Sequence, residues 1–238
     1  LGVSVPGIAL YTDDPTTGDP VASGQADYSN YVVYLSYGQR LTDINPDIMV
    51  GANLKAFSEG FSGTAAEGST GSGMNLDLGI LYQPTNWFSC GLTQQNLLDG
   101  LKMDFANGVK EDIPGLTKAG MNIVLLGKHG YFTSNYKLNL AADIDIDTKG
   151  TREKTLHLGA EFWPSEMLAL RAGIDQDPIA GGVTTNLTAG VGLKLGNIQF
   201  DYAYHTYSDI PENTTNFFSI SFVNAYEQIK PRGNLSAR

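Results

Sequence analysis

The sequence contains a single cysteine, few charged residues and no long apolar segment. Each of these features excludes a class of protein. The single cysteine, Cys90 in a predicted strand, excludes an intramolecular disulfide framework and reads as a small packing residue. Charged residues make up only 17% of the chain, and the net charge of -10 argues against nucleic acid as a partner. No segment contains the roughly 18 consecutive apolar residues of a transmembrane helix. A membrane protein of this sequence must therefore cross with β-strands.

The residues that are present fit one large all-β domain without a visible boundary. The chain contains 28 glycines and 42% hydrophobic residues in 238 residues. The clearest strand covers residues 136–147, where the even-numbered residues are apolar and the odd-numbered residues are mostly polar. A tilted strand needs about 9 to 11 residues to cross the hydrocarbon core of a bilayer. Segment 136–147 is long enough.

Further segments with this alternation, some of it weaker, bring the prediction to about twelve strands. They are 1–11, 28–41, 46–57, 74–82, 87–96, 117–127, 156–162, 168–175, 187–195, 198–205 and 216–223. The joins alternate between long polar segments (12–27, 59–72, 97–116, 148–152, 176–186 and 206–215) and short turns (42–46, 84–86, 128–134, 164–166 and 196–197). Outer-membrane barrels have short turns on one side and long loops on the other, whereas a soluble sandwich has no reason for this sorting.

These patterns predict an antiparallel transmembrane β-barrel in a bacterial outer membrane, in contact with its lipid. Residues 1–223 form the barrel, and residues 224–238 form a C-terminal tail made cationic by Lys230, Arg232 and Arg238. An even number of strands places both termini and the short turns on the periplasmic side, and the mostly acidic long joins outside. The tail either docks a periplasmic partner or is a disordered end. The oligomeric state is not readable from the sequence.

Charged residues on the polar strand faces are the candidates for the barrel lumen. These residues carry charges of both signs. They are consistent with a salt-bridged or plugged interior, and equally with an ion path or a ligand site. The candidates are Lys55, Asp77, Lys118, Asp143, Asp145, His157, Glu161, Arg171, Lys194 and Asp201.

Aromatic residues beside the short turns are candidates for a girdle at the membrane–water interface. These are Tyr82 and Trp87 around Pro84, and Phe162 and Trp163 before Pro164. The alternative is the general preference of aromatic residues for strands. The Gly196-Asn197 pair between two alternating segments predicts a tight hairpin.

No enzyme, cofactor or metal site is predicted. Asp143, Asp145 and Asp147 share a strand face, but their spacing of about 6.5 to 7 Å is wide for one ion and the calcium-loop pattern fails. A calcium site is the minor alternative to a solvated edge paired with Lys137 or Arg152. The three histidines share no ligand spacing, and a Ser, His and acid arrangement is recognised only by geometry. The Asn-x-Ser/Thr matches at Asn186, Asn213 and Asn234 are read as chance.

Several stretches, in order and spacing, resemble the FadL-like outer-membrane barrels, and in particular their PorV-type branch associated with type IX secretion. They are VGANLK (50–55), LDLGILYQP (76–84), CGLTQQNL (90–97), LRAG (170–173), FDYAY (200–204) and FSISF (218–222). The resemblance implies fourteen strands and an N-terminal hatch that enters the lumen. Either the complete protein has these fourteen strands, or it is a reduced relative with twelve. The chain resembles the part after the first two strands, and we expect an export signal to be removed or to lie upstream of Leu1.

The sequence therefore favours a barrel that handles or passes a non-covalent cargo at the outer membrane. The resemblance implies a FadL-like transporter or channel for small hydrophobic molecules. The alternative that it also implies is a PorV-type interaction barrel, which serves a secretion machine or a surface protein through its loops or tail. A soluble β-sandwich or lectin-like domain is the third interpretation.

Overall fold

A computed structural model of the chain describes residues 2–63, 70–98, 101–209 and 214–222. Every regular element in these ranges is a β-strand, and none of them contains a helix that could span a membrane. The predicted tail at 224–238 lies outside the described residues, as do Asn213 and Asn234.

In the described part of the chain, fifteen strands form one sheet. They are β1 (Gly2–Asp13), β2 (Pro20–Arg40), β3 (Ile48–Ser62), β4 (Thr70–Tyr82), β5 (Phe88–Gln95), β6 (Lys102–Phe105), β7 (Lys110–Asp112), β8 (Leu116–Gly127), β9 (Phe132–Thr133), β10 (Lys137–Asp147), β11 (Thr155–Trp163), β12 (Leu168–Ile179), β13 (Gly182–Leu195), β14 (Ile198–His205) and β15 (Thr215–Phe222). Twelve of them follow one hydrogen-bonded path in sequence order, and β6, β7 and β9 lie off it. The pairs from β1 to β5 and from β11 to β15 on this path are antiparallel, while the two-residue β9 pairs parallel with β8. The prediction of an all-β antiparallel fold with about twelve main strands is confirmed.

Several predicted long joins are shorter than expected because the strands continue into them. Strand β2 begins at Pro20, and Asp13 pairs with Pro20, so the join predicted at 12–27 shrinks to 14–19. Strands β12 and β13 pair until Ile179 meets Gly182, so the predicted long join at 176–186 is wrong. The apolar alternation weakens in these segments, but the backbone hydrogen-bond ladder does not depend on it.

The predicted hairpin at residues 196–197 is present. Leu195 pairs with Ile198, which leaves a two-residue loop. Gly196 has φ of 60°, a conformation that favours glycine, and two-residue loops of type II′ take glycine at this first central position.

The chain forms two compact units, each drawn from separate segments. Unit 1 contains residues 1–83, 90–119 and 145–152, and unit 2 contains residues 84–89, 120–144 and 153–238. In unit 1, Lys55, Asn75 and Asp77 are buried on one strand face while Leu54 and Leu78 are exposed on the other. In unit 2, strand β13 buries Thr184 and Asn186.

On the same strand, Leu187 is 60% exposed and Leu193 is 42% exposed. Among the described residues, the buried hydrophobic side chains are only Ala26 and Ala169. A water-soluble domain buries its apolar faces, so both units have the opposite arrangement.

Candidate functional site

An ion-pair network extends over the polar face of unit 2. Arg171 on β12 donates from Nε to Glu161 Oε2 at 2.8 Å and from Nη1 to Asp201 Oδ1 at 2.6 Å. Glu161 also accepts hydrogen bonds from Trp163 Nε1 at 2.6 Å and Asn139 Nδ2 at 3.2 Å. One guanidinium therefore joins carboxylates on β11 and β14, across β13. Its planar set of donors suits two acceptors at once.

Two glycines on β13 make room for this crossing. Gly190 pairs with Arg171 on one side, and Gly192 pairs with Asp201 on the other. A Cβ atom on Gly192 would lie 2.7 Å from Asp201 Oδ1 and 3.1 Å from Arg171 Nη1. The absence of a side chain is what lets the guanidinium pass over the strand.

A second polar cluster of unit 2 places one carboxylate between two histidines. His205 Nε2 lies 3.0 Å from Asp175 Oδ2, and His157 Nδ1 hydrogen bonds to Asp175 Oδ1. On the far side of His157, Thr155 Oγ1 lies 3.3 Å from Nε2. The order hydroxyl, imidazole and carboxylate is that of a catalytic triad. Thr155 is only 5% exposed, however, which leaves its hydroxyl little access to a substrate.

In unit 1, the polar face holds a lysine between a carboxylate and an amide. Lys55 Nζ lies 2.7 Å from Asp77 Oδ1 and donates to Asn96 Oδ1 at 2.6 Å. The Asn96 backbone N–H donates to Asp77 at 2.9 Å. The fully buried Asn75 accepts from the Leu98 N–H at 3.1 Å. These bonds fasten the segment after β5 to strands β3 and β4.

The three aspartates of β10 have separate surroundings. Asp145 accepts from Lys118 Nζ at 2.5 Å, and Asp143 lies against Gly120. Asp147 accepts from the backbone N–H groups of Lys149, Thr151 and Arg152 at 3.2, 2.8 and 3.1 Å. Lys118 is thus a partner of Asp145 that the sequence did not indicate, and Asp147 organises a turn.

The structure brings some of the predicted lumen residues together and leaves others apart. Lys55 meets Asp77, Lys118 meets Asp145, and Arg171 meets both Glu161 and Asp201, while Lys194 lies opposite Gln199. Their position in a lumen stays a prediction. Sequence reasoning missed Asn75, Asn96 and Asp175 as partners. Asp175 occupies a polar position of β12, but its neighbours depend on a strand register that the sequence does not specify.

The predicted girdle residues take different faces. Trp87 packs edge to face on Tyr131 at 5.1 Å, and Phe162 lies 6.1 Å from Tyr136. Tyr82 is 39% exposed at the end of β4. Trp163 instead shares the polar face with Glu161, to which it donates, and Lys137 Nζ lies 5.9 Å from its ring centroid. The girdle, including Trp163, stays a prediction.

Two cavities lie on opposite faces of one patch of unit 2. A groove of about 850 Å³ on the apolar face has a floor of alanines and walls that include Leu158, Ile174 and Leu187. A cavity of about 440 Å³ on the polar face contains Arg171 and Asp201. Both are bordered by small residues of the strands between them, namely Ala141, Gly159, Ala160, Ala172, Gly173 and Ala189. Where these small residues lie, neither face of the sheet carries a large side chain.

No protein-family model matches the chain, and no curated protein sequence matches it. Solved structures do. The toluene transporter TbuX of Ralstonia pickettii is 14% identical with a TM-score of 0.53, over 94% of this chain and 77% of that one. The monoaromatic hydrocarbon channel CymD is 13% identical with a TM-score of 0.50, over 94% and 87%. The P. putida toluene transporter TodX is 10% identical with a TM-score of 0.50, over 86% and 70%.

At these identities the likeness shows the fold alone. The fold agrees with the one that the predicted FadL-like resemblance implies. It lends no support to the PorV-type branch. A secretion or surface-protein partner therefore stays a prediction.

Proposed function

We propose that the chain is a bacterial outer-membrane β-barrel that transports small hydrophobic molecules. The observation that carries the proposal is the exposed apolar strand face over buried polar residues, in a fold shared with toluene transporters. Lipid is the solvent that makes such a surface favourable. The cargo is proposed by analogy with TbuX, CymD and TodX, because fold does not determine function by itself.

The apolar groove of unit 2 is the place where we expect a hydrophobic molecule to bind. Sites for small molecules are concave and mostly apolar, with volumes of about 300 to 1,000 Å³. The groove falls within this range, and the alanines at 160, 172 and 189 leave space between its larger side chains. An apolar molecule there would replace lipid contacts without exposing a polar group.

The test is uptake of radiolabelled toluene by cells that lack a hydrocarbon transporter of their own and express this chain. Ala172→Trp fills the groove, and we expect uptake to fall about tenfold, which corresponds to about 1.4 kcal/mol of lost binding. Leu193→Trp lies on the same face but outside the groove, so it is the matched control and should leave uptake unchanged. Heat-modifiable migration of the outer-membrane fraction checks that each variant folds.

Uptake by cells with the wild-type chain that is no faster than uptake by cells without it would refute the transport proposal. Equal loss in both tryptophan variants would refute the groove as the binding place, while leaving transport intact.

A further inference from the structure

A small cavity in unit 1 has an unusual combination of aromatic rings and carboxylates. It measures about 290 Å³ and lies between Tyr28 of β2, the end of β3 and the β6–β7 hairpin. Tyr28, Phe61 and Phe105 supply its aromatic walls, and Glu59 and Glu111 supply its charge.

Strand pairing holds these side chains in place. Tyr28 and Phe61 face each other across β2 and β3, with ring centroids 5.2 Å apart, and the Tyr28 hydroxyl donates to Glu59 Oε1 at 3.0 Å. Gly71 on β4 pairs with both Glu59 and Phe105. A Cβ atom on Gly71 would lie 2.8 Å from Phe105 Cδ1, so this glycine gives the ring its space beside Glu59.

The lysines of this region are committed to other carboxylates. Lys102 and Lys149 pair with Asp112 at 3.0 and 3.1 Å, and Lys110 pairs with Asp104 at 2.9 Å. The hydrogen bond from Lys102, followed by that from Lys149, lowers the pKa of Asp112 below its ordinary value. Within residues 2–63, 70–98, 101–209 and 214–222, neither Glu59 nor Glu111 forms an ion pair. The cavity therefore has negative charge without a resident cation.

We propose that this cavity binds a small, water-soluble organic ammonium ion. The faces of aromatic rings attract cations, and the effect grows as water is excluded. Glu59 is half-buried and adds a fixed counter-charge beside the rings. A hard metal ion is a poor occupant because calcium takes about six to eight oxygen ligands. A neutral hydrocarbon would displace water from the carboxylates without supplying a positive charge or a hydrogen bond in its place, which is unfavourable.

The proposal is tested by measuring the binding of choline to the full chain in detergent with isothermal titration calorimetry. The matched ligand is 3,3-dimethyl-1-butanol, which has the shape of choline without its charge. We expect saturable binding of choline, and binding of the neutral ligand that is weaker by about tenfold, within the range of cation–aromatic interactions. This experiment is independent of hydrocarbon uptake, which the apolar groove variants test.

Three variants locate the site. Glu59→Gln and Phe105→Leu should each weaken choline binding several-fold while leaving the neutral ligand unaffected. Glu166→Gln changes a carboxylate of unit 2 that is 93% exposed, and it should bind choline like the wild type. Near-identical circular dichroism spectra establish that the variants fold. Absence of saturable choline binding, equal binding of the two ligands, or unchanged binding in Glu59→Gln would overturn the proposal.

Discussion

Gly192 and Gly159 lie on the polar faces of neighbouring parts of unit 2 but have different surroundings. A Cβ atom on Gly192 would come within 3.1 Å or less of both members of the Arg171–Asp201 ion pair. A Cβ atom on Gly159 would meet nothing within 4 Å. Glycine is thus required at position 192, where a side chain would crowd the ion pair, but not at position 159.

We predict that Gly192→Ala destabilises the protein and that Gly159→Ala does not. The first substitution pushes Asp201 away from Arg171 and costs about 1 to 3 kcal/mol, as overpacking does. The second adds about 0.4 to 1 kcal/mol of stability by restricting the unfolded chain. Urea unfolding of the protein in lipid vesicles measures both. Equal stability of the two variants would show that the ion pair does not depend on this space.

Strands and turns were predictable to different degrees. The twelve main strands could be located because most of them have an apolar face with a period of two residues. The ends of β12 and β13 could not, since residues 176–186 lack that period although their backbones pair. The β6–β7 hairpin was missed for the same reason, as both of its strands are short and polar. The turn after β10 depends on one side chain, Asp147.

We predict that Asp147→Ala loosens this turn without unfolding the sheet. The substitution removes the acceptor of the Lys149, Thr151 and Arg152 N–H groups, at a cost of about 1 kcal/mol. Hydrogen exchange should become faster at Thr151 and Arg152 and stay unchanged in β11. Asp147→Asn keeps one oxygen acceptor, so its exchange rates at these residues should lie between those of the wild type and those of Asp147→Ala. Exchange in Asp147→Ala at the wild-type rate would mean that the turn is held by its backbone alone.

For the whole molecule, the distribution of polarity was predictable and the partners of the charged residues were not. Alternation placed Lys55, Arg171 and Asp201 on polar faces, where the structure has them. It did not pair them, because partners come from neighbouring strands and depend on register. The cavity around Glu59 was missed because it combines the β2–β3 pair with the β6–β7 hairpin, which are about forty residues apart in the sequence.

The central claim is that the exposed apolar faces contact lipid and the polar faces contact water. Spin labels along β13 test it, with single cysteines introduced into a Cys90→Ser chain in lipid vesicles. Labels at Leu187, Val191 and Leu193 should collide with lipid-soluble oxygen and be shielded from a water-soluble nickel chelate, while a label at Lys194 should do the reverse. The membrane-embedded sheet would be contradicted if label accessibility along β13 showed no period of two residues. It would also be contradicted if the labels on the apolar face collided with the nickel chelate.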